Sequence, residues 1–251
     1  MKQQFHALVA AITFFTRLPL WKVFTVPAEA YARIIPFWPL TGWITGGITA
    51  LAFWGLSALL PLSIALILAF GIRILLTGGL HEDGLADFFD GFGGGRTRED
   101  ILRIMKDSHL GTYALLGVLF YYLLLFHLLP FIEAASIVKV LLVADPLSKM
   151  LAALLTNTLP YARSVEQSKA KTLFARMPLL ALLFLFTTGL APLLYFFPLQ
   201  SVYILVLPLA GFALIWLFVK RKLGAYTGDI CGATALLCEL ISYFSFYFVL
   251  K

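Results

Sequence analysis

The sequence predicts an all-α protein: a polytopic membrane helix bundle of about seven transmembrane segments, a single integral domain over residues 1–251, with its active site on the cytoplasmic face. Three observations carry that expectation. The chain is 61% hydrophobic and only 13% charged, whereas about a quarter of a soluble domain is charged. Apolar stretches long enough to cross a bilayer, which takes roughly 20 residues, recur at about 34–60, 62–79, 110–130, 134–157, 178–197, 201–219 and 231–250. The basic residues fall into alternate connections: Lys2, Arg17, Lys22 and Arg33 before the first stretch, Arg96, Arg98, Arg103 and Lys106 after the second, Arg163, Lys169, Lys171 and Arg176 after the fourth, Lys220, Arg221 and Lys222 after the sixth. The opposite turns, near Pro61, 131–133 and 198–201, carry no Lys or Arg, so the positive-inside rule places the basic connections in the cytoplasm. The net charge of +6 then belongs to topology and to the anionic lipid bilayer, and it calls for no nucleic-acid partner.

The amino terminus, MKQQFHALVAAITFF, has the basic start and apolar run of a signal peptide. Thr16, Arg17 and Pro19 follow where small cleavage-site residues belong, so a retained amphipathic or re-entrant helix is expected. The first long stretch carries Pro36 and Pro39 and exceeds one simple span, which predicts tilting, a kink or entry by way of an interfacial turn. Its opening, PFWPLTGWITGG, reads as an aromatic belt with close helix packing through Gly42, Gly46 and Gly47. Arg17, in FFTRLPL, either joins that belt or holds an anionic substrate group; nothing local decides.

Residues 78–95, GGLHEDGLADFFDGFGGG, set Glu82, Asp83, Asp87 and Asp90 between glycine clusters directly after the second apolar run. If about 82–91 is helical, Asp83, Asp87 and Asp90 fall on one stripe. Carboxylates so placed repel one another unless a cation lies between them. A hard cation such as Mg²⁺ prefers to keep waters and substrate phosphates in its shell, which suits a sparse aspartate set. A solvated acidic loop is the plainer alternative, against which the interleaved Leu85, Phe88 and Phe89 count. His81 is a candidate base or ligand, or simply structural. The following TRED, 97–100, resembles a capping box that opens a short helix through Lys106. Arg103 and Lys106 on it are natural phosphate partners, and Asp107 can complete a metal shell; an ordinary surface helix is the alternative.

Within the fourth stretch stand Asp145, Ser148 and Lys149. Ionisable groups at the bilayer centre cost roughly 2.5–3.5 kcal/mol each, so they pair or face a functional cavity. Asp145 and Lys149 are one turn apart, and both a structural and a substrate-facing pair stay open. Lys139 is expected to snorkel toward the far surface. The basic loop 159–177 either covers a phosphate-bearing substrate or anchors to lipid. LGAYTGDICGA, 223–233, sets Asp229 at the cytoplasmic mouth of the last span, at the depth of the first acidic cluster; Glu239 further in has no obvious local partner. Cys231 and Cys238 read as small packing residues.

Taken together, TRLP, PFWPLTGW, HEDGLADFFDG, IMKDS followed by GTY, LPYAR and YTGD with its later GA resemble the cobalamin synthases, or adenosylcobinamide-GDP ribazoletransferases, over nearly the whole chain. Residues 81–108 carry the specific part of the likeness. The resemblance implies a membrane-embedded, Mg²⁺-dependent transferase of the last steps of adenosylcobalamin assembly, in the cytoplasmic membrane of a bacterium or archaeon. It implies that adenosylcobinamide-GDP is joined to α-ribazole or its 5′-phosphate, with release of GMP. It further implies Asp83, Asp87, Asp90 and Asp107 as metal ligands that act in catalysis with Lys106, and Arg103, His81, Ser108, Arg17, Asp229 and Lys149 as substrate contacts. Homo-oligomerisation is left open. The chain departs from the family pattern at Ala114, where glycine is usual, at His127, where lysine is frequent, and at Leu236, where a glutamate often stands. Two rivals are a CDP-alcohol-type phosphotransferase, whose pattern needs Ala-Arg where Asp87 and Phe88 stand, and a cation transporter lined by Asp145, Asp229 and Glu239.

Overall fold

The computed structural model describes residues 2–162 and 176–251. Its α-helices are α1 (Lys2–Phe15), α2 (Trp38–Ser57), α3 (Leu62–Thr77), α4 (Leu80–Gly94), α5 (Arg98–Ile104), α6 (Thr112–Leu128), α7 (Ala134–Ala153), α8 (Leu155–Thr158), α9 (Leu179–Phe196), α10 (Val206–Lys222) and α11 (Gly228–Leu250). The all-α polytopic expectation holds. Every apolar stretch carries a helix, yet among the described residues four helices are long and apolar enough to cross a membrane, or five if a bent pair counts as one span. That pair is α3 and α4, which meet at 92°. α7 is interrupted by Lys139, Asp145 and Lys149, and α2 is diluted by threonine and glycine.

The bend follows from two consecutive glycines. Gly78 and Gly79 take φ of 70° and 71°, a left-handed pair that residues with a Cβ adopt only under strain. Their amides both close on the Ile74 carbonyl, so α3 stops there and the chain leaves sideways as α4.

α11 is the hub. Its span is 61% buried, against 28%, 22% and 22% for the other three apolar helices, whose remaining surface is left to lipid. It packs on α4, α7, α10 and α6. Lipid offers no hydrophobic drive between helices, so close approach through small residues does the joining. α2 meets α7 in this way: a Cβ on Gly42 would lie 2.8 Å from the Pro146 Cα, and one on Gly46 3.0 Å from the Leu141 carbonyl oxygen. Gly47 has only the end of Leu142 near it, at 4.0 Å, so the expected packing rests on the first two glycines.

Among the described residues two buried ion pairs cross-link the interior. Lys149 pairs with Asp145, whose second oxygen accepts from the Thr45 hydroxyl of α2 at 2.6 Å. Arg73 of α3 pairs with Glu239 of α11, which also accepts from Tyr243 at 2.6 Å and from Tyr121 of α6 at 3.5 Å. The Arg73 guanidinium stands 4.5 Å over the Phe70 ring. Glu239 therefore has a partner that lies 166 positions away in sequence.

Candidate active site

Helix α4 carries its two faces to two different neighbours. His81, Gly84, Leu85, Phe88 and Gly91 are buried, while Asp83 is exposed and Glu82, Asp87 and Asp90 are half-buried. Glu82 and Asp83 occupy the first turn, where the helix dipole favours negative charge. The buried face lies on the start of α11, and glycine makes the crossing tight: a Cβ on Gly84 would be 2.8 Å from the Asp229 carbonyl oxygen, and one on Gly232 3.4 Å from the His81 Cα. Asp229 is thus set against the acidic helix, at the head of a helix capped by Thr227, whose hydroxyl accepts from the Ile230 amide at 3.2 Å.

The remaining expected carboxylates are committed elsewhere. Both oxygens of Asp90 accept backbone amides at the start of α6, from Gly111 at 2.6 Å and Ala114 at 2.8 Å. Asp107 is exposed and accepts from the His109 ring at 2.6 Å. That contact holds the Asp107 carboxyl below its ordinary range and raises the His109 imidazole. Among the described residues no three His, Cys, Asp or Glu side chains stand together in a way that could hold an ion. Asp83, Asp87, Asp90 and Asp107 therefore do not form the single shell that the sequence led us to expect.

α5 begins on the expected cap, with the Thr97 hydroxyl accepting from the Asp100 amide at 3.1 Å, but it ends at Ile104. Lys106 and Ser108 lie beyond it in an exposed turn, and Arg103, also exposed, reaches Asp100 at 3.2 Å. Arg17 sits at the bend itself: its amide donates to Leu76 at 2.7 Å, and its side chain crosses Gly78, where a Cβ would be 3.0 Å from the guanidinium carbon. His81 is buried beneath, with ring centroids 6.1 Å from Phe15 and 5.7 Å from Trp38, and its Nε2 has no hydrogen-bond partner among the described residues. Lys149 is closed into its pair with Asp145 in the interior, so it does not reach the exposed face of α4.

Two further motifs meet close by. The Ala162 amide donates to the Tyr226 carbonyl at 2.8 Å, and the Tyr226 amide to Pro160 at 2.9 Å, which joins the start of the basic loop to the lead-in of α11. Arg163, Lys169 and Lys171 lie outside the described residues. Between α4 and α6 runs a groove of about 730 Å³, with Glu82, Asp83 and the bend glycines on one side and Ala114, Val118 and Leu119 on the other. Tyr122 closes its inner end, donating to Glu82 at 3.1 Å.

Sequence reasoning missed Arg73, Tyr121 and Tyr243. The signal was there: an arginine within one apolar run and a glutamate within another are the residues that pair at membrane depth.

Comparison with known proteins adds to this geometry. A family model described as Cobalamin-5-phosphate synthase matches residues 7–247. An adenosylcobinamide-GDP ribazoletransferase of Shewanella sp. (strain W3-18-1) is 37% identical over 246 residues, spanning 96% of this chain and 93% of its own. One from Shewanella oneidensis is 38% identical over 239 residues, 93% of this chain and 90% of that one. One from Shewanella baltica (strain OS155) is 36% identical over 247 residues, 96% and 94% of the two chains. No solved structure matches the chain.

Proposed function

The chain belongs to the cobalamin-5-phosphate synthase family, and on that footing we propose that it transfers the cobinamide phosphate of adenosylcobinamide-GDP to α-ribazole or its 5′-phosphate, releasing GMP. The observation that carries the proposal is the meeting of motifs far apart in sequence. Arg17 lies on Gly78, Gly84 on Asp229, Asp90 on Gly111, and Ala162 on Tyr226. The first three bring distant motifs onto the acidic helix and its lead-in, and the fourth ties the start of the basic loop to the lead-in of α11, which carries Asp229.

In this reaction a ribazole hydroxyl oxygen bonds to the phosphorus nearer the cobinamide. The bond from that phosphorus to the GMP phosphate breaks, and the hydroxyl proton leaves to a nearby base. Such a transfer needs charge neutralisation and alignment more than covalent help. Asp83 and Asp87, one turn apart on α4, are hard oxygen donors in a sparse set, which fits a cation that arrives with a diphosphate rather than one held in a full protein cage. When bound, Mg²⁺ supplies neutralisation across the diphosphate. Arg17 at the head of α4 and Arg103 and Lys106 beyond it meet the remaining phosphate charge, and Asp229 orients the attacking hydroxyl. The basic connections favour a cytoplasmic site, where nucleotide-activated substrates are found.

The ion pairs also weigh against a transport path, because Asp145 and Glu239 are closed onto Lys149 and Arg73. The test is a two-substrate assay on the protein reconstituted in liposomes. GMP is expected only when Mg²⁺, adenosylcobinamide-GDP and α-ribazole or its 5′-phosphate are present together. Mg²⁺ uptake without any nucleotide product would overturn the proposal.

A further inference from the structure

The aspartate stripe of α4 divides into two parts with different work, and the division shows in what its last member touches. α6 begins at Thr112, and the residue before it, Gly111, has no side chain to cap the helix, so the first amides need partners from outside. Asp90 provides them: Oδ2 accepts from the Gly111 amide at 2.6 Å and Oδ1 from Ala114 at 2.8 Å. A charged acceptor at a helix N-terminus is favoured both by the hydrogen bonds and by the dipole. Gly111 is there for space rather than conformation. Its φ is −90°, open to any residue, yet a Cβ would lie 2.5 Å from Asp90 Oδ1 and 2.8 Å from its Cγ.

The tie has a consequence for the groove. α6 supplies its apolar wall through Ala114, Val118 and Leu119, and α4 its acidic wall through Glu82 and Asp83. The two helices are fastened at one end by Asp90 and at the other by the hydrogen bond from Tyr122 to Glu82. Phe89 lies over Gly117 between these fastenings.

We propose that Asp90 is a positioning residue: a carboxylate from α4 that serves as the N-cap of α6 and sets the two walls of the groove, and not a metal ligand. Its effect on turnover rests on the transferase reading; its effect on α6 does not. The experiment uses the full-length protein in nanodiscs with the variants Asp90→Ala, Asp90→Asn and Gly111→Ala and the double variant Asp90→Ala/Gly111→Ala. Two quantities are measured: amide hydrogen exchange over residues 111–116, and the Mg²⁺ dependence of GMP release.

Asp90→Ala and Gly111→Ala are each expected to speed exchange by roughly 2- to 30-fold, the range that a lost N-cap produces. They should lower turnover alike, and the double variant should be no worse than either, because both remove one interaction. Asp90→Asn, which keeps one acceptor, should fall between the parent and Asp90→Ala with its Mg²⁺ midpoint unchanged. A tenfold rise in that midpoint in Asp90→Asn with wild-type exchange would overturn the proposal, as would wild-type exchange in Asp90→Ala. If Gly111→Ala does not fold, the two Asp90 variants decide. If the unaltered protein releases no GMP, the transferase reading fails, and the exchange measurement still decides the role of Asp90.

Discussion

Asp83 and Asp90 are both carboxylates on one short helix, and their surroundings separate them. Asp83 is exposed at the rim of the groove, whereas Asp90 has both oxygens on the α6 amides. Replacing Asp83 or Asp87 by Asn keeps size and removes charge, so GMP release should fall by about 10²-fold or more, as when one stabilising group is lost from a charged transition state. Far-UV circular dichroism should be unchanged; near-wild-type turnover in both variants would sink their assignment. Asp107 and His109 give a second residue-scale prediction. The imidazole is raised above its ordinary 6.5 first by its hydrogen bond to Asp107, and the carboxyl is lowered below 3.8 first by the same bond. The raised imidazole means that the contact is complete below pH 6.5 and is lost as pH climbs through the His109 pKa. The lowered carboxyl means that it is lost again as pH falls through the Asp107 pKa. Both groups are exposed, so the pair adds little to stability. NMR titration should place the His109 pKa above 6.5, and Asp107→Asn should bring it back down.

At the scale of elements, α4 was legible in the sequence and its attachments were not. The common stripe of Asp83, Asp87 and Asp90 was conditional on a helix over about 82–91, and α4, spanning Leu80–Gly94, meets that condition. The second apolar stretch was expected to end at about residue 79, but the 92° turn there was not foreseen, because its direction depends on what α4 packs against. Asp90 could not be assigned from spacing, because its partners are backbone amides of a helix that begins more than 20 positions later and have no side-chain signature. The crossing of α4 on α11 yields a paired prediction. Gly84→Ala pushes a methyl to within 2.8 Å of the Asp229 carbonyl oxygen, so α4 must shift; overpacking of this kind costs about 1–3 kcal/mol. Gly94→Ala meets only the end of Ile104 at 3.4 Å, and gains helix propensity of up to about 1 kcal/mol. Thermal unfolding in detergent should show the first variant less stable and less active and the second no less stable than the parent. Equal melting temperatures for the two would contradict the close crossing.

At the scale of the molecule, the apolar bundle is held in register by polar cross-links that its composition did not reveal. Seven apolar stretches could be counted, but periodicity could not tell a lipid-facing helix from the hub, nor foresee that Glu239 and Arg73 would meet. That pair joins α3, which leads into the bend, to α11, which carries Asp229, with Tyr121 of α6 as a third attachment. The acidic helix thus stands on elements that the pair fixes relative to one another. Breaking a buried pair by removing one partner leaves an uncompensated charge and costs about 3–5 kcal/mol, whereas replacing both by apolar residues of similar volume is often neutral or stabilising. Arg73→Met and Glu239→Met should each lower the melting temperature sharply, and the double replacement should restore most of it. Turnover separates two roles. If the pair only fills the interior, activity returns along with stability in the double variant. If its directional bonds set the placement of α4 against α11, the double variant melts like the parent while GMP release stays low, and we expect the second result because Tyr121 and Tyr243 lose their shared acceptor as well.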